Sequence, residues 1–273
     1  MKYIELKTIL FGLCFPILLI WAGISQANTI KIKFAYIGST NDSAYIGISQ
    51  GLTEANLQGQ FLGQAYSLDT IESNQLNGTD FSKYIAILAA TDADMILTLT
   101  ELIPDYPIFN LAATDDSLRE TCLANVLHIT PSERMRKDAI AQWHIKQPDA
   151  DVEAKAWHPD FVKFAARDLN KRFRKASNIG MDDLAWAGWA AVKMTSDTVA
   201  REDITTPIKM LNYLKTSLSF DGQKGMAMNF RETGQLRQLL LVVEDDNIVG
   251  EAPVRGVVKT TDVDSLGITS CPK

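Results

Sequence analysis

The chain has 273 residues, with 27 Lys and Arg against 33 Asp and Glu, a formal net charge of −6 at pH 7. That mildly acidic balance argues against a nucleic-acid partner, because phosphate binding needs clustered excess Lys and Arg. The length allows one large domain or two small ones.

Residues 1–27 read as a cleavable secretory signal. Lys2 and Lys7 form a positive start, residues 9–22 are an almost unbroken apolar run, and Ser25-Gln26-Ala27 offers small residues where a signal peptidase cuts. Cleavage after Ala27 is expected in preference to a retained anchor. The run is shorter than the roughly 20 residues a bilayer span needs, and Pro16 interrupts it. Residues 11–13, before Cys14, lack a lipoprotein cleavage pattern, so no membrane anchor is expected. Losing the segment's net +1 (Lys2 and Lys7 against Glu5) takes the charge from −6 to −7. The working protein is therefore expected outside the cytoplasm, in the periplasm.

Residues 30–37 begin in apolar–basic alternation and end fully apolar, as a strand entering a buried sheet does. A polar loop of turn-formers, 38–43, leads to a helix expected over 44–57 and closed by Gly59. The pattern then predicts a strand at 64–68, a helix at 80–90 capped by Thr79 or Asp80, and strands at 95–100, 107–111 and 125–130. Strands alternating with helices indicate βαβ units and a parallel sheet. A helix follows over 132–146 with Ser132 as N-cap, then a polar linker over 147–156. Helices are expected at 160–175 and 182–199, and from Thr206-Pro207 onward, with Pro in the first turn. Residues 225–230 and 237–244 read as a hairpin around 231–234, and Asp245-Asp246-Asn247 as a turn into Ile248-Val249. The residues from Val254 onward carry no clear pattern.

Cys122 and Cys271 survive removal of the signal, and an even number in an oxidising compartment favours a disulfide over two separate thiols. The bridge would tie the C-terminal tail to the middle of the chain.

The strand 30–37 with its Ser/Thr loop, the "QGLTEAN" helix segment, "FNLAATDDSLRETCLANVLHITPS" and "FDGQKGMAMNFRETGQLRQLLLVVEDDNIV" together resemble the type I periplasmic binding proteins, solute receptors of ABC importers in the branched-chain amino-acid group. More narrowly, "EANLQGQFLGQ", "CLANVLHITPS", "LNKRFRK" and "TGQLRQ" are similar to the subgroup found alongside PQQ-dependent alcohol dehydrogenase systems. The resemblance implies an α/β fold of two lobes with the ligand between them, and an ABC permease as partner. Two lobes of ordinary size need more than the 246 residues left after residue 27. Moreover, the βαβ units of a second lobe are missing before Trp157-His158-Pro159. The expected organisation is a complete parallel-sheet lobe over 28–130, then 131–273 holding a helical segment, a reduced second lobe and a hairpin returning to the first.

In an open α/β sheet, ligands bind beyond the carboxyl ends of the strands. The candidates there are Ser39, Thr40, Asn41, Asp42 and Ser43 after the first strand, Thr98, Thr100 and Glu101 after the third, and Ala113, Thr114 and Asp115 after the fourth. In the family, the matching loops present hydroxyls and backbone N–H groups to the ligand's polar end. The competing reading is that these residues cap helices and close turns. The pairs Asp92/Asp94 and Asp115/Asp116 could offer oxygens to calcium or a lanthanide, but lack an EF-hand spacing and read better as helix-cap acids. His128, His144 and His158 are scattered without zinc spacing, and no nucleophile elbow, P-loop or dinucleotide fingerprint occurs. Neither enzyme activity, a metal nor a cofactor is therefore expected. Trp143, Trp157, Trp186 and Trp189 fall around the shortened region; Trp186 and Trp189, three apart on one helical face, read most simply as core, whereas an aromatic patch left exposed by a missing lobe would mark a protein partner. The alternative to a receptor is thus a degenerate binding-protein scaffold docking on a periplasmic dehydrogenase or transporter, or on a second copy of itself as a homodimer.

Overall fold

The computed structural model describes residues 29–272; the signal segment read over 1–27 lies outside the described residues. The opening unit is β1 (Ile30–Ile37), α1 (Ser43–Leu62) and β2 (Gln64–Thr70). Then come β3 (Ala86–Ala89), α2 (Ala93–Leu102), β4 (Ile108–Asn110), the short α3 (Asp116–Glu120) and β5 (Val126–His128). These strands form one parallel sheet in the order β2-β1-β3-β4-β5, with Phe34 opposite both Leu68 and Ala86, and Phe109 between Leu88 and Leu127. Its two faces feed two cores. Phe34, Tyr36, Leu88 and Phe109 point into the larger one, and Ala35, Ile37, Ile87 and Ile108 into the smaller. Burial on both faces is why β1 ends as a continuous apolar run.

The structure reverses two expected elements. Residues 86–89 are a strand, while residues 93–102 are a helix. A four-residue apolar run buried on both faces carries no period, so Ala86–Ala89 is as compatible with a helix as with a strand. The decisive signal lay at Asp92, whose carboxylate accepts from Met95 N and starts α2, with Ile96 and Leu99 buried three apart. Asp80, expected to cap a helix, caps only a 3₁₀ turn over Phe81–Lys83. At the end of α1 the helix passes Gly59 and stops at Gly63, whose φ of 66° supplies the left-handed cap.

The second half begins with α4 (Glu133–His144), where Ser132 accepts from Met135 N as the N-cap. Next are β6 (Glu153–Lys155), α5 (Ala166–Ser177), α6 (Asp183–Glu202), α7 (Pro207–Thr216), β7 (Leu240–Glu244) and β8 (Asn247–Ala252). A second, antiparallel sheet has the order β6-β7-β8. β6 sits inside the stretch expected as a linker. Val152, Ala154 and Ala156 are buried in alternation with exposed Glu153 and half-buried Lys155, a short period-2 pattern that pairing with Leu241–Val243 completes. The β7–β8 turn is as expected, with Asp245 and Asp246 both at positive φ. Residues 225–230 form no strand and meet their neighbours through the single bridges Phe220–Met228 and Phe230–Leu236.

α6 returns to the parallel sheet and lies against α1. A Cβ on Gly47 would overlap the Ala185 carbonyl, and one on Gly188 the Ala44 carbonyl, so the two helices touch through their backbones. Cys122 and Cys271 are joined in a disulfide, as expected, across 149 residues. No helix among the described residues is long and apolar enough to cross a membrane.

Candidate functional site

The carboxyl ends of β1, β3, β4 and β5 open on loops 38–42, 90–92, 111–115 and 129–132. Tyr36, the penultimate residue of β1, places its hydroxyl 3.0 Å from Ser39 O and 2.9 Å from Asp42 Oδ1. Burial, reinforced by Asp42, raises this phenol well above its usual value, so it serves only as a neutral donor. Asp42 also accepts from Tyr45 N as the cap of α1, and Ser43 Oγ donates to Asp182 Oδ2. Ser39 Oγ accepts from Asn41 N. In this first loop Asp42 and Ser43 are thus committed to structure, whereas Ser39, Thr40 and Asn41 stand exposed.

Thr98, Thr100 and Glu101 do not lie after a strand. They ride on α2, where Thr98 Oγ1 donates to Asp94 O and Thr100 Oγ1 to Ile96 O, each four residues back. The residue that does follow β3 at the carboxyl end is Thr91, half-buried beside the α2 cap. The sequence pattern points past it, because the apolar run at 95–100 reads as the strand. The clue was Thr91-Asp92, a hydroxyl followed by an N-cap. After β4, Ala113 and Thr114 lie at the strand end as expected. Asp115 is exposed, and its side chain makes no capping bond to α3.

The chain superimposes on solved structures of known binding proteins. A branched-chain amino-acid ABC transporter periplasmic ligand-binding protein from Burkholderia xenovorans matches with a TM-score of 0.68 at 13% identity, over 81% of this chain and 95% of that one. A branched-chain amino-acid transporter substrate-binding protein from Streptococcus pneumoniae, in complex with isoleucine, matches with 0.65 at 10% identity, over 82% and 98%. A leucine-binding protein from Thermotoga maritima gives 0.63 at 11%, over 80% and 97%. The fold is that of the type I periplasmic binding proteins. Neither a protein-family model nor a curated protein sequence matches the chain.

Within this type I fold, a buried polar network holds the β4 and β5 loops. Arg119, fully buried, donates from Nη1 to Ala113 O and Asp115 O, from Nη2 to Thr130 O and from Nε to Gln235 Oε1. Burial lowers its guanidinium to about 9, opposed by Asp116 and Asp115, so it remains charged at neutral pH. Asn110 donates to His128 Nδ1 and Ala113 O, and accepts from Ala113 N. His128 is held well below its usual value by burial and then by the Arg119 charge, so it is neutral. The ring is fully packed, with Nδ1 accepting from Asn110 and Nε2 without a hydrogen-bond partner among the described residues. Replacing Arg119 with Met leaves these carbonyls without their donor and is expected to cost about 3 kcal/mol. Urea unfolding measures the loss, and faster amide exchange over 112–116 would accompany it.

Between the parallel sheet and the second sheet the interior is filled. Trp157 and Trp186 stack with centroids 5.7 Å apart and planes 9° from parallel. Lys224 Nζ lies 4.1 Å from the Trp186 ring centre and donates to Gln238 Oε1 and Leu239 O. Arg136 pairs with Asp183 at 2.8 Å and also donates to Ala154 O. Lys224 is fully buried and makes no ion pair among the described residues, and burial, opposed by the Asp183 charge, lowers its ammonium from 10.5 to about 7.

From about pH 7 to 10.5 the unfolded chain therefore binds a proton the folded one lacks. In this window Lys224 makes stability rise with pH, by up to ~1.4 kcal/mol per unit, and below it the contribution is flat. Lys224→Met is expected to abolish that slope. Urea unfolding of both proteins between pH 6 and 10 gives the difference curve.

Proposed function

We propose that the protein is the solute-binding component of an ABC importer and works beside PQQ-dependent alcohol oxidation. The observation that carries the reading is the type I fold with hydroxyl-bearing loops, Ser39-Thr40, Thr91 and Thr114, at the carboxyl ends of β1, β3 and β4. Hydroxyls and backbone N–H groups at such ends suit the carboxylate or hydroxyl of a small polar solute without adding a second charge. The structures it resembles come from proteins described as binding branched-chain amino acids, leucine or isoleucine. The secretory segment over 1–27 supports a periplasmic location, and the phrases similar to the PQQ-associated subgroup support the link to alcohol oxidation. The second lobe is taken as a reduced one, built around β6-β7-β8, with an ABC permease as the onward partner.

Calorimetric titration against amino acids, small alcohols, organic acids, PQQ and metal ions tests this. Saturable binding of one of the organic solutes is expected. Uniform silence from folded protein would count against a receptor.

A second reading has its own observation. Leu57, Phe61 and Leu62 stand exposed at the end of α1, Phe61 at 85%. A scaffold docking through this end on a periplasmic dehydrogenase, a transporter or a second copy would bury them. Sedimentation of the purified protein, and co-purification from host extract, separate these cases from a free receptor.

A further inference from the structure

Away from the carboxyl-end loops, a cavity of about 540 Å³ opens between the end of α4, the approach to α5, the segment after Lys224 and the exit from β8. That volume is in the range of sites for small organic ligands. Two aromatic residues wall it. Trp143 lies over β8 so closely that a Cβ on Gly250 would overlap its indole. Its Nε1 is buried and has no hydrogen-bond partner among the described residues, although a buried indole N–H ordinarily finds an acceptor. Phe164 has a φ of 55°, a left-handed backbone that a bulky residue rarely adopts and that strains it. Its ring lies across Gly225 and is still 61% exposed. An aromatic held in a strained conformation to face solvent at the rim of a cavity is placed as a contact surface for something that enters it.

The polar lining consists almost wholly of donors. Lys146, Lys163 and Arg255 line the cavity against one carboxylate, Glu251. Lys163 Nζ lies 3.0 Å from Glu251 Oε1 as an ion pair, without hydrogen-bond geometry, so this buried oxygen has no hydrogen-bond partner among the described residues. Lys146 and Arg255 make no ion pair among the described residues, and the hydroxyls of Thr260 and Thr261 complete the rim. Both cations are exposed and hydrated in the free protein, and an anionic ligand gains their attraction where a neutral or cationic one does not. An aromatic ring carrying two carboxylates supplies one anion for each free cation and a face for Trp143 and Phe164. We propose that this cavity is a binding site for aromatic dicarboxylates, separate from the carboxyl-end loops.

The three benzenedicarboxylates and their dimethyl esters are the probes, titrated into the purified protein at low ionic strength and followed by calorimetry and tryptophan fluorescence. At least one diacid is expected to saturate, with its ester about tenfold weaker or worse. The double variant K146M/R255M is expected to weaken the diacid by about tenfold or more with an unchanged unfolding midpoint, because both side chains are exposed and unpaired. Phe164→Gly relieves the backbone, so it should keep or raise stability while weakening the diacid several-fold. Silence from all three diacids, equal binding of an ester, undiminished affinity in K146M/R255M, or loss of the diacid on changing Thr91 and Thr114 instead would each overturn the assignment.

Discussion

Replacing Cys122 and Cys271 with Ser is expected to destabilise the protein by about 5 kcal/mol, the loop-closure entropy the chain-entropy model assigns to a link across 149 residues. The loss acts mainly through the unfolded chain, and it also frees a tail with its own anchorage. Arg231 donates to Asp264 Oδ1 and Val263 O, and Gly267 N donates to Asp138 Oδ2 on α4. These contacts outlast the disulfide, so the variant should fold with the tail docked but should melt far earlier. Thermal and urea unfolding with and without reductant measure the effect. A change below about 1 kcal/mol would mean that the unfolded chain is already held compact by other contacts.

Trp186→Ala is expected to have a comparable effect, about 4 to 5 kcal/mol. Truncating a fully buried Trp costs about 3–5 kcal/mol through lost burial and the cavity left behind. Here two further groups depend on it. Gly222 O accepts from Trp186 Nε1 at 3.1 Å, and the Lys224 ammonium rests on the ring. Below about pH 7, where Lys224 is protonated and both variants are to be compared, a desolvated cation over an indole gains about 2 kcal/mol from it. Trp186→Phe keeps a ring beneath Lys224 and should therefore cost about 2 kcal/mol less than the Ala variant. Equal losses for Ala and Phe would show that the cation–ring contact contributes nothing.

Much of the parallel sheet was legible because β1, β4 and β5 are apolar runs ended by turn-formers, and the disulfide followed from the two cysteines left once residues 1–27 are read as a removed secretory signal. The failures have a common cause in β3. Ala86–Ala89 is buried on both faces and has no period, so the strand was set at 95–100, and Thr98, Thr100 and Glu101 were carried with it to a strand end they do not occupy. Thr91, which does occupy it, was lost for the same reason. β6 is hard to read because its alternation rests on Val152 and two alanines, Ala154 and Ala156, which carry little apolar signal beside the acids and Pro148. The Arg119 network was invisible for a different reason. Gln235 lies 116 residues away, the nearer partners Ala113 and Thr130 accept through backbone carbonyls that carry no side-chain signal, and a charged residue in a short helix ordinarily reads as solvated. The organic-anion cavity likewise draws Trp143, Phe164 and Arg255 from segments that only the fold brings together.

The receptor reading rests on ligand recognition at the carboxyl ends of β1, β3 and β4, and one comparison reaches it directly. The solute found by titration of the wild-type protein is titrated again into Thr91→Val, Thr114→Val and the double variant, each checked for an unchanged unfolding midpoint. If those hydroxyls hold the ligand, each single change weakens binding by about 1 kcal/mol, roughly fivefold, and the double change by more. Affinity unchanged in the double variant would contradict ligand binding at these loops.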